Sequence, residues 1–261
     1  QEYLAMQGKP AEIINTGVSG LRAVNHLATL KVIARFDPDL VVFLLGGNDW
    51  NRHIRERFEP DLDMWRPTPL RLSMFGSAID AMVLSPIRRK ISGKTWSDQA
   101  KSIDSADSLT KVEFLSRNRT VTHTFRPTAV LPAYAETVRD ISAGCKAAQV
   151  RCLFMTQPHA YGAGTPAELI ANFWMTPPWA TYSLDLESMS HIASLYNEFL
   201  RSFAARAGHP VCDLASRVMP PRTLFYDDMH YTDEGSRRVA EQVLPCVLAA
   251  LGEPPPPRLS K

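Results

Sequence analysis

The stretch Phe225-Tyr226-Asp227-Asp228-Met229-His230-Tyr231-Thr232-Asp233-Glu234-Gly235 sets an acid three residues ahead of a histidine, with a helix start directly behind. At that spacing a carboxylate reaches the near imidazole nitrogen within one turn of loop. It fixes the tautomer and leaves the far nitrogen as a base. Asp227 therefore reads as the orienting acid and His230 as the general base. Asp228, two residues away, has the poorer reach and ranks second. Short acid–histidine spacings also arise by chance, so the pair carries weight only in company.

Two other segments supply that company. Asn15-Thr16-Gly17-Val18-Ser19-Gly20 lies near the start, and Gly46-Gly47-Asn48-Asp49 follows the apolar run Leu40-Val41-Val42-Phe43-Leu44-Leu45. In this order the three segments resemble blocks II, III and V of the SGNH, or GDSL-type, hydrolases. The resemblance spans Gln1 to Asp49 and Val130 to Leu251. It implies an α/β fold, a flavodoxin-like three-layer α/β/α sandwich around a parallel sheet. It also implies serine-dependent hydrolysis of a carboxylic ester, with no metal or organic cofactor.

An ester passes through a tetrahedral intermediate bearing a negative oxygen, and each donor placed for it is worth ~3 kcal/mol. By the resemblance, the Gly20 backbone N–H and the Asn48 amide form this oxyanion hole, with the serine's own N–H as third donor. The bland alternatives are a strand-to-helix turn at Gly20 and an Asx-turn at Asn48. The expected partner is a small acyl ester or an O-acetylated carbohydrate. Rival readings are an acyltransferase on the same scaffold, marked by water exclusion and a sugar-shaped groove, and a non-catalytic binding domain.

In that family the nucleophile sits in a Gly-Asp-Ser turn after the first strand, ahead of block II. Gln1 to Ile14 contain no serine. The expectation is that the chain begins after that central strand, with the nucleophile upstream of Gln1. As written it should then be inactive and prone to aggregate. Ser19 is the alternative nucleophile, because Gly17-Val18-Ser19-Gly20 nearly fits a Gly-x-Ser-x-Gly elbow. The fit fails at Leu21, and that fold keeps its acid and histidine far apart in sequence.

The elements that must position these residues follow from periodicity. Ala11 to Asn15 reads as a short strand, Gly20 to Arg35 as a helix with one apolar side, and Leu40 to Leu45 as a buried parallel strand. Thr128 to Gln149 reads as a helix and Val150 to Thr156 as a strand ending at Gln157-Pro158-His159. Leu186 to Ala207 is the most regular helix, closed by Gly208. Pro210 to Leu214 reads as the last strand. Thr232 is a fitting N-cap for a final helix to about Leu251, with Asp233 and Glu234 at its positive end. Strands alternating with helices indicate a parallel sheet covered on both faces, whose ligands sit at the carboxyl ends of the strands. Residues 1–251 then form one domain, with a long insertion at about 50–127 that carries some helix near Met74 to Leu84, and residues 252–261 form a proline-rich tail. Between Gly162 and Tyr182, the aromatics Trp174, Trp179 and Tyr182 either line a pocket or anchor their own loop.

Bulk properties set the limits. A chain of 261 residues, 45% hydrophobic and 21% charged, suits one sizeable globular domain. A net charge of +2 leaves no footprint for nucleic acid. The cluster Arg88-Arg89-Lys90 reads as a solvated turn, and Asn118-Arg119-Thr120 as a chance sequon. No apolar run approaches the ~20 residues needed to span a bilayer. The compartment stays open, since no signal peptide is visible and a chain that starts late would not show one. The four cysteines, Cys145, Cys152, Cys212 and Cys246, lack metal-type spacing and read as four buried thiols. His26, His53, His123, His159, His191 and His209 show no metal-helix spacing either.

Overall fold

The computed structural model describes residues 4–5, 8, 11–18, 20–60, 121–175, 177, 180–218 and 223–252. The chain divides into a unit of Gln1–Ile54 with Arg119–Lys261 and a unit of Arg55–Asn118. In the first, helix α1 (Ala23–Ile33) is followed by a 3-10 turn (Ala34–Phe36) and strand β1 (Val41–Leu44). Helix α2 spans Gly47–Phe58, and strand β2 spans Val121–His123. Next come α3 (Pro132–Ala147), β3 (Cys152–Met155), α4 (Ala167–Ile170), β4 (Tyr182–Leu184) and α5 (Leu186–Arg206). The chain continues through β5 (Val211–Cys212), α6 (Leu214–Arg217) and α7 (Asp233–Ala250).

The main sheet is parallel, in the order β1-β3-β5. Its register pairs Phe43 with Phe154 and Leu44 with Met155. Side chains alternate between faces along a strand, so Phe43 and Phe154 share one face while Leu153 and Met155 share the other. The two phenylalanine rings stack at 5.5 Å, and His26 of α1 meets Phe43 edge-on. α1 packs in turn on α3. On the opposite face, Leu153, Met155 and Cys212 pack against Cys246 and Ala250 of α7. Helices therefore cover the parallel sheet on both faces, the α/β/α layering that the sequence implies.

Val42 and Leu44, on the face of Leu153 and Met155, remain 40% and 37% exposed, and among the described residues no strand pairs with the outer edge of β1. Residues 11–18 do not form the strand expected for Ala11 to Asn15. A strand needs a neighbour's backbone groups to satisfy its own, and no described strand lies beside this segment. Ile13, Ile14 and Val18 are exposed accordingly. A second parallel pair, β2 with β4, has no counterpart in the periodicity. Each strand is only three residues long, too short for an alternation to register.

The four cysteines are not free thiols. Cys145 is bonded to Cys152, and Cys212 to Cys246. The first bond closes the turn from α3 into β3. The second joins β5 to α7, which the packing of α7 on the sheet brings together across 34 residues. Four cysteines allow three pairings, and spacing alone chooses none of them.

Of the segment read as an insertion, the described ends are regular: α2 continues through Phe58, and β2 begins at Val121. The basic cluster, the Asn118 sequon, the expected helix near Met74 and the proline tail lie outside the described residues. No helix among the described residues is long and apolar enough to cross a membrane.

Candidate active site

The loop carrying Asp227 and His230 is closed at its base by a bridge between Phe225 and Tyr231, whose rings also meet at 5.3 Å. Tyr226 N donates to His230 O at 3.1 Å. Behind the loop, Thr232 caps α7 by accepting from Gly235 N at 3.0 Å. Thr232 N donates to Leu224 O. Gly235 allows this close approach, because a Cβ there would lie 1.9 Å from Leu224 O. The loop is thus pinned at both ends independently of the contact between Asp227 and His230.

Within it, Asp227 is 1% exposed. Its Oδ1 accepts Met229 N at 3.0 Å and His230 N at 2.8 Å, an Asx-type turn. The same carboxylate reaches His230 Nδ1, at 3.0 Å from Oδ1 and 2.9 Å from Oδ2. With Nδ1 engaged, Nε2 is the position left for proton transfer. The His230 side chain is 54% exposed, and the Tyr226 ring lies flat against it at 5.6 Å.

Asp228 does not share the histidine. It is equally buried, and its Oδ2 accepts Tyr161 OH at 2.6 Å, Trp174 N at 3.1 Å and Met175 N at 3.3 Å. Ala160 N donates to its backbone oxygen. The two adjacent acids therefore face different partners, and Asp227 is the one that holds the ring.

Of the other two predicted residues, Asn48 is tied to the turn that follows Gly20. Asn48 Nδ2 donates to Leu21 O at 2.9 Å, directly after Gly20. An amide carries two hydrogens, so this bond commits one of them. Gly20 itself adopts φ +80, which favours glycine. Asp49 strengthens the link by accepting Ala23 N at 3.0 Å, acting from a different element as the acid at the start of α1. Burial pushes Asp49 up to about 6, against the opposing pull of the Ala23 hydrogen bond, Arg22 and Arg52.

Met229 connects the two pairs. Its sulfur lies 3.4 Å from where a Cβ on Gly47 would stand, so the histidine loop packs on the residue before Asn48. Ser19 lies outside the described residues.

The Gln157-Pro158-His159 turn divides. Gln157 faces the site, donating to Tyr231 OH at 3.4 Å. The His159 ring turns inward to Trp50 and Tyr161, and burial lowers its pKa to about 4. Among the remaining histidines, His191 bonds Pro127 O and His209 bonds Ser142. No group of three or more His, Cys, Asp or Glu is placed to hold a metal ion among the described residues.

A family model described as GDSL-like Lipase/Acylhydrolase matches residues 1–238. The chain belongs to the GDSL-like lipase/acylhydrolase family. Membership supports a general hydrolase or esterase function. Among solved structures, the chain is similar to a protein of Bacteroides fragilis NCTC 9343 described as a "putative acylhydrolase". The two are 14% identical over 96% of this chain and 79% of that one, with a TM-score of 0.47. No curated protein matches.

In this GDSL-like chain the contact that sequence reasoning did not anticipate is Trp174. Its indole Nε1–H donates to Asp227 Oδ2 at 3.3 Å. The residues stand 53 apart, so no local spacing could signal the bond. Of the other aromatics considered with it, Tyr182 is buried in β4 against His123, and Trp179 lies outside the described residues.

Proposed function

We propose that the chain supplies the base, its orienting acid and the oxyanion donors for serine-dependent hydrolysis of a carboxylic ester. The observation that carries the reading is the bond from Asp227 to His230 Nδ1, on a loop packed against the Gly47–Asn48 turn. His230 Nε2 takes the proton of a serine hydroxyl as its oxygen attacks the ester carbonyl. The carbonyl π electrons move to oxygen, and the Asn48 amide and Gly20 N–H donate to that oxyanion. Collapse expels the alcohol, which receives the proton from His230. Water then enters by the same route and releases the acid from the acyl-serine. Asp227 stays ionised throughout and stabilises the imidazolium.

The nucleophile is proposed to be the serine of a Gly-Asp-Ser segment placed ahead of Gln1, and the substrate a small acyl ester or an O-acetylated carbohydrate. The test is turnover of a short-chain chromogenic ester by this chain and by a form carrying such a segment. The reading expects hydrolysis by the longer form, abolished by His230→Ala. Hydrolysis by the chain alone that disappears on Ser19→Ala would make Ser19 the nucleophile instead.

A further inference from the structure

Asp227 is a buried carboxylate, and four donors reach it from the described residues. Three belong to its own loop: Met229 N, His230 N and His230 Nδ1. The fourth, Trp174 Nε1, arrives from the irregular segment between α4 and β4. It binds Oδ2, the oxygen closer to His230 Nδ1. A carboxylate's terminal torsion is broad and roughly two-fold, so the backbone donors on Oδ1 do not by themselves fix the plane of the group. A donor on Oδ2 does.

The segment that carries Trp174 is itself held in place. Trp174 N and Met175 N both point at Asp228 Oδ2. Two successive N–H groups converge on one oxygen here while Met175 adopts φ +54, a left-handed conformation that costs a side-chain-bearing residue. Tyr161 OH completes the cradle, and the Tyr161 ring packs edge-on against Phe173. Met175 O accepts Leu184 N, tying the far side to β4. The adjacent acids thus grip one residue at two points: Asp228 takes the backbone of Trp174 and Asp227 takes its indole.

From this double grip we infer that Trp174 is a positioning residue of the His230–Asp227 pair, with Asp228 as its anchor. The inference rests on the proposed role of His230 as base. The Trp174 N–H draws off part of the charge on Oδ2, while His230 Nδ1, which meets both carboxylate oxygens, keeps the group facing the ring when the indole is absent. Replacing the indole with a ring that lacks this donor concentrates that charge on the oxygen facing Nδ1–H. The imidazolium is then favoured, and His230 titrates at a higher pH than in the unmodified chain.

The experiment is proton NMR on the form carrying a Gly-Asp-Ser segment, following the Trp174 indole N–H and the His230 ring protons across the titration of His230. Trp174→Phe assigns the indole resonance by removing it. The expected result is an indole signal that moves with the His230 midpoint and loses that response in Asp227→Asn. Trp174→Phe should also shift the His230 midpoint upward. An indole signal indifferent to the His230 titration overturns the inference. So does a signal that responds while Trp174→Phe leaves the midpoint unmoved, since the bond would then exist without acting on the base. If Trp174→Phe does not fold, the indole response in the unsubstituted form and in Asp227→Asn decides. None of these readouts needs turnover, so a failure of the hydrolase reading is seen separately, as an inactive longer form.

Discussion

Asp227 and Asp228 are chemically identical neighbours with different work because their carboxylates face opposite partners. Asp227 meets the imidazole, and Asp228 meets Tyr161 and the backbone at 174–175. Asp227→Asn puts an amide against Nδ1 and favours the wrong tautomer. It should cut kcat by roughly 10⁴-fold in a form that turns over ester. Asp228→Asn keeps an oxygen for the donors from Tyr161, Trp174 and Met175 and should cost far less. Steady-state kinetics on both variants check this, and a strong effect of Asp228→Asn alone would reverse the assignment. On the proposed mechanism, in which the Asn48 amide donates to the oxyanion, Asn48→Ala should lower kcat by about 10²–10³-fold with KM little changed.

At the scale of elements, two contacts hold the site's backbone. Gly235 lets Leu224 O pass close to the start of α7. A methyl group there collides with backbone, which cannot move aside as a flexible side chain would. Gly235→Ala should therefore destabilise the fold by about 1–3 kcal/mol, measured by chemical unfolding. Asp49 joins α2 to the start of α1, and burial raises its pKa to about 6 in the folded state. The folded chain then binds this proton more tightly than the unfolded chain does. From pH 6 down to the ordinary aspartate range the native state holds the extra proton, so the Asp49 contribution to stability falls as pH rises through that window. Asp49→Asn should flatten that part of the stability–pH curve.

The sequence made some of these elements legible and hid others for physical reasons. Helix α5 shows a clear apolar stripe and a Gly208 cap, and it spans Leu186–Arg206 as expected to within a residue. Thr232 caps α7 as its position before Asp233 and Glu234 suggests. The Asp227–His230 bond was readable because three residues of loop determine it. Helix α2 is not legible, because its sequence is strongly polar and it opens on the second glycine of a Gly-Gly pair. Trp174 and the Asp228 cradle were invisible for a different reason: their partners come together only once the chain has folded.

Over the whole molecule, two disulfides brace the sheet from opposite faces, Cys145–Cys152 on the side of α3 and Cys212–Cys246 on the side of α7. Cys212–Cys246 closes a 34-residue separation and Cys145–Cys152 one of 7. On a chain-entropy account these are worth about 4 and about 2 kcal/mol. Thiol titration of the native chain should find no reactive cysteine, and reductant should lower the melting temperature. Cys246→Ser should lower it more than Cys145→Ser.

The central claim is that His230, held by Asp227, is the base that activates a serine toward an ester carbonyl. The most direct measurement is the first turnover with a nitrophenyl ester, in the form that carries a Gly-Asp-Ser segment. The release of nitrophenolate is timed, and the acylated residue is located by mass spectrometry. The account predicts an acyl group on that serine, formed in a burst that His230→Ala slows by about 10²–10⁴-fold. Acylation at an unchanged rate in His230→Ala, or on another residue, would contradict it.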